Sequence, residues 1–277
     1  SVARGEADTR KLAELMVGRD IDLSPRRSRG EAKETLLSLS KVGLTKDGVD
    51  RITQVSFDVR AGEIVGVAGV SGNGQRELAE IVAGLIAPTS GEVSINGWRV
   101  NGVGTRNVRK AGLAYVPEDR LGTGLAPSLS IVDNLVLTRD RGFLVDRKSA
   151  HAEAEAFIKQ LEIKTPNALT ATRKLSGGNS QKVLLAREIF AAGTNSRVLV
   201  VCSPTRGLDV GAVEAVHKLL DEARSAGKAI LLISEDLDEV LTLADKILVL
   251  YRGSVVHEAV GDKVDVEAVG LAMAGLS

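Results

Sequence analysis

One cysteine, seven aromatic side chains and no excess of either charge sign mark this 277-residue sequence by scarcity. With Cys202 alone, neither a disulfide framework nor a cysteine-built zinc site can form, and a reducing compartment is expected. The aromatics (Phe57, Trp98, Tyr115, Phe143, Phe157, Phe190 and Tyr251) are scattered and offer no platform for stacking bases. Thirty-six Lys and Arg balance 36 Asp and Glu, so no nucleic-acid partner and no polybasic membrane anchor are expected. The longest strongly apolar runs, Val198–Cys202 and Ile247–Tyr251, are far shorter than the ~20 residues of a membrane span. No charged-then-apolar leader opens the sequence, so export by a signal peptide is not expected. The 44% of hydrophobic residues, in contrast, is enough for a folded core.

The apolar pattern divides the chain. Residues 8–18 have helical spacing (Leu12, Leu15, Met16), and the Leu23–Gly30 stretch that follows is polar and linker-like. Asp8, Met16 and Gly18 share their spacing with Asp265, Met273 and Gly275, as a repeat would. Period-two spacing at Thr35–Val42 and Val55–Val59 predicts half-buried antiparallel strands. Ile64–Ala68 reads as a buried strand feeding a glycine turn and a helix from about Gln75 to Ala83. Short strands are expected at Gly91–Ile95 and Leu113–Val116, then helices at Ala150–Leu161 and Ser180–Ala192. The last third alternates: strand Val198–Val201, helix Val210–Ala226, strand Ala229–Ser234, helix Leu237–Ala244, strand Lys246–Leu250. Buried strands alternating with helices predict an α/β domain whose parallel sheet is covered on both faces.

Three motifs carry chemistry. Gly69-Val-Ser-Gly-Asn-Gly74-Gln75-Arg76 lies between strand and helix, where glycines allow close backbone approach and N–H groups point at an anion. Taken alone it also fits a plain glycine turn. Against the pattern G-x4-G-K-[ST], Gln75 stands at the phosphate lysine and Arg76 at the magnesium hydroxyl. Loss of one charge-assisted hydrogen bond weakens binding by roughly 10–150-fold. Leu175-Ser-Gly-Gly-Asn179 precedes a helix and presents a hydroxyl and backbone N–H groups suited to a γ-phosphate. The apolar run Val198–Val201 leads into Cys202-Ser-Pro-Thr-Arg-Gly-Leu-Asp209.

In order and spacing these three runs resemble the nucleotide-binding domain of ABC transporters, over about residues 35–260. The resemblance implies a P-loop (RecA-like) α/β fold with an antiparallel β edge and an inserted helical subdomain at about 119–192. Val67–Leu78, Val116-Pro-Glu-Asp-Arg120 and Ile233-Ser-Glu-Asp-Leu-Asp-Glu239 are similar to the second half of tandem ATP-binding subunits of bacterial simple-sugar and nucleoside importers. Leu15-Met-Val-Gly-Arg19 resembles the tail of the first half, so residues 1–30 read as the end of a preceding domain plus linker and 31–277 as the domain itself.

The resemblance also assigns roles, and several positions depart from them. Cys202 stands at the magnesium aspartate, Ser203 at the water-activating glutamate, Glu118 at the γ-phosphate glutamine and Glu235 at the switch histidine. No aromatic precedes residue 57 to stack an adenine. Phosphoryl transfer needs metal, charge and a positioned water. The expectation is therefore a degenerate phosphate loop (Gly69, Ser71, Gly72, Asn73, Gly74, Gln75, Arg76), no catalytic residue in cis, no metal ligand, and an inactive or very weak domain. The signature residues Leu175, Ser176, Gly177, Gly178, Asn179 and Gln181 would complete a partner's ATP site, with Asp209 coupling the two. ATP and Mg²⁺ would bind mainly at the partner's site. Expected partners are an N-terminal nucleotide-binding half, transmembrane permease subunits and, indirectly, a solute-binding protein, at the cytoplasmic face of the cell membrane. A nucleotide-sensing module without turnover is the alternative. A free-standing P-loop enzyme would need a base and a metal ligand near the loop. The carboxylates Glu235, Asp236, Asp238 and Glu239 read as charge bias at a helix start, and His151, His217 and His257 as surface or structural residues.

Overall fold

A computed structural model describes residues 33–139, 146–190, 196–260 and 264–276. The helix and linker expected in residues 1–30, and the end of the helix expected to reach Ala192, lie outside the described residues. The two sheets follow the expected α/β plan. Strands β1 (Thr35–Lys46), β2 (Val49–Arg60), β4 (Ser90–Ile95) and β5 (Trp98–Arg99) form an antiparallel sheet in the order β2-β1-β4-β5. Strands β3 (Ile64–Ala68), β6 (Leu113–Val116), β7 (Val198–Cys202), β8 (Ala229–Ser234), β9 (Lys246–Tyr251) and β10 (Ser254–Val260) form the second, ordered β10-β9-β3-β8-β7-β6. All its pairings are parallel except the edge strand β10.

The first hairpin runs several residues past its expected strand ends. Asp47 and Gly48 both take positive φ (54° and 74°), the geometry of a tight Asp-Gly turn that matches strand twist, so pairing continues into it.

Strand alternation divides the core into two layers. Ile64, Ala68, Leu199, Val201, Ile230, Leu232 and Ile247 face the helices. Val65, Val67, Val198, Val200, Leu231, Ile233, Leu248 and Leu250 face the antiparallel sheet and helix α1 (Gln75–Val82). A sheet covered on both faces has no polar side, which is why its strands read as continuous apolar runs. The lone tryptophan, Trp98, is in neither layer and is exposed.

Helices α2 (Thr105–Lys110), α3 (Ile131–Val136), α4 (Arg147–Gln160) and α5 (Gly177–Leu185) follow in chain order. Helices α6 (Val210–Ser225), α7 (Leu237–Leu243) and α8 (Val266–Met273) alternate with or follow the last strands. Ser130, Asp146, Ser176, Asp209, Asp236 and Asp265 each accept a first-turn N–H, so most helix starts are capped by the side chain that sequence reasoning seeks there. Among the described residues, no helix is long and apolar enough to cross a membrane.

The helical region is tied to the sheet edge by one buried carboxylate. Glu188, fully buried, lies in a π-type turn (Ala186–Phe190) that extends α5. It accepts from Arg187 Nε at 2.8 Å, from Arg109 Nη1 at 3.0 Å and, more weakly, from the Tyr115 N–H of β6 at 3.4 Å. Arg187 in turn donates to the Gly124 carbonyl at 2.7 Å. Removing one member of a buried charge set leaves the others unpaired, at a cost of about 3–5 kcal/mol. Glu188→Ala should therefore lower the urea unfolding midpoint by an amount corresponding to that loss. An unchanged midpoint would show that the network does not hold the edge.

Candidate functional site

The phosphate-loop sequence leaves the C-terminal end of β3 and closes at Gly74, whose φ of 107° is open to glycine and strained for other residues. A side chain there would also meet the Arg51 carbonyl at 2.7 Å. Asn73 staples the loop to the β9–β10 turn. Its Oδ1 accepts from the Arg252 N–H and its carbonyl from the Gly253 N–H, each at 2.8 Å. Ser71 and Gly72 are exposed at the tip.

Gln75 and Arg76 take opposite courses. Gln75 is buried and folds back: its Oε1 accepts from the Asn73 N–H at 3.1 Å and its Nε2 donates to the Val70 carbonyl at 2.9 Å. Arg76 points outward and pairs with Glu80 at 2.8 Å. The hydrogen bond and charge of Glu80 hold its guanidinium above the ordinary arginine value.

A cleft of about 980 Å³ opens beside the loop. Ser71, Gly72, Gln75 and Arg76 line one side, while Leu175, Gly177 and Ser180 line another. Glu118, Cys202, Ser203 and Glu235 all reach it, so the structure gathers these four residues singled out from the sequence around one space. Ser176, Gly178, Asn179, Gln181 and Asp209 do not line it. The Ser176 hydroxyl caps α5 and accepts from Asn179 Nδ2 at 2.8 Å. Gln181 is buried, and Gly178 packs so closely on α6 that a side chain would lie 2.7 Å from Ala212 Cβ. Asp209 caps α6 through the Ala212 N–H at 2.9 Å.

Sequence reasoning missed several residues here. Arg120, given no role in the sequence analysis, lines the cleft and donates to the Arg206 carbonyl. Arg206 pairs with Glu118. His217 is buried with its Nε2 3.8 Å from Glu239 Oε1, and Thr205 donates to the same oxygen at 2.7 Å. All three line a second hollow of about 600 Å³ behind the Ser203–Leu208 loop. Nothing in local spacing announces such pairs. The one local sign is that Glu239 recurs three residues after a capping Asp236.

The fold is consistent with ATP and Mg²⁺ as ligands, and the open glycine loop and cleft suit a phosphate tail. The side chains at the metal positions do not fit an ion held by the protein. Arg76 is a cation, Cys202 is a buried thiol, and among the described residues no three His, Cys, Asp or Glu gather for a metal. Ser203 holds a positive φ of 41°, a strained conformation for a residue with a side chain, and its N–H donates to the Ile233 carbonyl at 2.8 Å.

Burial pushes the Cys202 thiol up to about 12, partly offset by the Tyr115 hydroxyl that donates to it, and burial raises Tyr115 as well. Unfolded, these groups lose protons near about 8.5 and 10. The unfolded chain then binds fewer protons than the native one, so stability falls as pH rises above about 9 toward 12. Urea midpoints measured across that alkaline range should drop, and the drop should shrink in Cys202→Ala. An equal drop in both proteins would refute the assignment.

The pattern of the family described as ABC transporter matches residues 52–206, more than half of the chain. The glucose import ATP-binding protein TsgD13 of Haloferax volcanii is 39% identical over 284 residues, covering 99% of this chain and 51% of that protein. The guanosine import ATP-binding protein NupO of Bacillus subtilis is 36% identical over 96% of this chain and 53% of its own length. The ribose import ATP-binding protein RbsA 1 of Rubrobacter xylanophilus is 40% identical, over 99% and 55% respectively. The chain thus spans about half the length of the curated relatives it matches. A solved ATP-binding subunit of an ABC transporter superposes with a TM-score of 0.72 at 22% identity, over 87% of this chain and all of that one, which supports the fold.

These matches correct three expectations. They run along nearly the whole chain as one ATP-binding domain, and none singles out a degenerate C-terminal half or an N-terminal partner half. The assignment to a tandem half, and that partner, are therefore not supported. The inactive or very weak domain inferred from altered side chains is likewise not supported, because relatives at 36–40% identity are ATP-binding proteins throughout. With motif order, fold and family pattern in agreement, the chain belongs to the ABC transporter family.

Proposed function

We propose that the chain is an ATP-binding, energy-coupling domain of an importer for a simple sugar or a nucleoside. The observation that carries this reading is a cleft at the C-terminal ends of the parallel strands, lined by both the glycine loop and the start of α5. Ligands of open α/β sheets bind at that edge. The relatives' names, which cite glucose, guanosine and ribose import, support the cargo class.

In this reading, the loop Gly69–Arg76 holds the phosphate tail through backbone N–H groups of the exposed Ser71–Gly72 tip and the N-terminal end of α1. Magnesium, when present, supplies charge neutralisation of the phosphates. The signature residues Leu175–Asn179 and Gln181 serve a nucleotide held on a facing domain of the same family. Ser176 and Gly177 are exposed at that surface, whereas Gly178 and Gln181 brace α5 from behind. Asp209 sets the start of α6, and with it the Ser203–Leu208 loop through which closure is felt. The outer partners are permease subunits in the membrane, with a solute-binding protein beyond them, placing the domain at the cytoplasmic face.

Calorimetric titration of the chain tests the binding step. ATP with Mg²⁺ should bind at least about tenfold more tightly than adenosine, since phosphate contacts are charge-assisted. Equal affinities for the two would refute a phosphate-directed site. In the assembled importer, Ser176→Arg should cut ATP-driven uptake by about tenfold or more, as a bulky cation at that surface blocks closure over phosphate. Undiminished uptake would remove the signature role.

A further inference from the structure

Two buried titratable groups meet behind the Ser203–Leu208 loop. Glu239, on α7, is 3% exposed, and His217, on α6, is 6% exposed. The Glu239 oxygen Oε1 accepts from the Thr205 hydroxyl at 2.7 Å and lies 3.8 Å from His217 Nε2. Neither Glu239 Oε2 nor His217 Nε2 has a hydrogen-bond partner among the described residues. A buried carboxylate with a single neutral side-chain donor is costly unless a positive charge compensates it.

The surroundings leave His217 as the source of that charge. Of the groups lining the hollow with it, Glu235, Asp236 and Asp238 are acidic, and Asp236 is engaged as the cap of α7. Arg206 lines the hollow too, but pairs with Glu118 on the cleft side. On α6 itself, Glu214 and Asp221 stand about one turn before and after His217, and Asp221 pairs with Arg224. From α5, which packs on α6, Lys182 donates to the Glu162 carbonyl. Among the described residues no lysine or arginine forms an ion pair with Glu239. A protonated imidazole completes the set around Glu239, whereas a neutral one leaves it the Thr205 hydroxyl alone. Histidine is the side chain whose charge ordinarily changes near neutral pH.

We propose that His217 is a positioning residue for the Ser203–Leu208 loop: its imidazolium sets the Glu239 carboxylate, which holds the loop through Thr205. The loop is a pair of linked turns, closed by the Arg206 N–H on the Ser203 carbonyl at 3.2 Å and the Leu208 N–H on the Thr205 carbonyl at 3.0 Å. Its first residue, Ser203, keeps a strained positive φ of 41°, which persists only where the surroundings hold it. Thr205 sits between the two turns, so a pull on its side chain acts on both. Loss of the imidazole proton removes the compensating charge; the clamp is therefore complete on the acid side and loosens as pH rises. The consequence for function rests on the ATP-binding reading above, because Ser203, Arg206 and Gly207 of this loop also line the cleft.

The test follows imidazole and loop together by NMR of the full chain across about pH 5 to 9. The sequence has three histidines, so the ring signal lost in His217→Gln identifies His217. That ring should titrate, and the Thr205 and Arg206 amide signals should shift with the same midpoint in the parent and stay still in His217→Gln. Loop amides that ignore the His217 titration, or shift equally in His217→Gln, would overturn the inference. So would a His217 ring that keeps one charge state throughout. Thr205→Val keeps the imidazole and removes the hydroxyl, so the ring should still titrate while the Arg206 amide no longer follows. Where His217→Gln does not fold by circular dichroism, Thr205→Val decides, and an Arg206 amide that still tracks the ring refutes the clamp. In the assembled importer, the parent's ATP-driven uptake should fall about fivefold or more between about pH 6 and about pH 8.5, relative to His217→Gln. Parallel pH profiles would remove the functional role. The NMR measurement uses no nucleotide, so a chain that binds ATP no better than adenosine refutes the ATP-binding reading and leaves the clamp standing.

Discussion

A carboxylate with no access to water, Glu188, determines where one wall of the cleft stands. It follows directly on α5, and its contacts reach α2 through Arg109 and the edge strand β6 through Tyr115. Through Arg187 the same group reaches Gly124, at the end of the turn that contains Arg120. The desolvation of such a charge is costly, and only a near-complete set of donors offsets it. The arrangement therefore tolerates little slack. The distance between the signature helix and the Tyr115–Arg120 segment is set by ionic contacts, whereas apolar contacts alone would let the helices slide.

The opposite wall is made rigid in another way. The glycine loop is closed internally by the Gln75 amide and externally by Asn73, which joins it to the Arg252–Gly253 turn. Gly253 in turn accepts from the Thr53 N–H of the antiparallel sheet at 2.8 Å. Loop, parallel sheet and antiparallel sheet thus meet at one point. A rigid loop favours recognition through backbone groups, whose positions are inherited from the fold, over recognition through long side chains.

Much of the architecture was legible in the sequence because each parallel strand is buried on both faces and announces itself as an apolar run. The three motifs were legible because glycine, serine and aspartate have local jobs at turns and caps. The remainder depends on pairs distant in sequence. Arg109 meets Glu188, Arg120 meets Arg206 and His217 meets Glu239, and in each case a charged or polar residue on a helix or turn has no local sign of its partner. The Asp47-Gly48 turn was a local signal left unread, and the hairpin was drawn short as a result. The tandem-half and inactive-domain readings failed for a different reason. The tandem-half reading extended short resemblances at Leu15–Arg19, Val67–Leu78, Val116–Arg120 and Ile233–Glu239 to a whole subunit, and the inactive-domain reading converted the identity of a few side chains into a statement about a whole domain.

That last point bears on how charge is distributed here. The chain is neutral overall, with 36 groups of each sign, yet among the described residues no carboxylate forms an ion pair with Arg120 in the cleft wall. Surface pairs such as Arg76 with Glu80 contribute little and are readily screened. A half-buried guanidinium at a helix N-terminus is different, because lower local polarity strengthens whatever it meets. The same loop that accepts from Arg120 carries Thr205, whose hydroxyl is bound to the buried Glu239 beside His217. One side of that loop faces the cleft and the other a second, acid-lined hollow. The Ser203–Leu208 loop is thus held on the cleft side by Arg120 and from behind by the buried Thr205–Glu239 hydrogen bond, so its position is fixed from both faces.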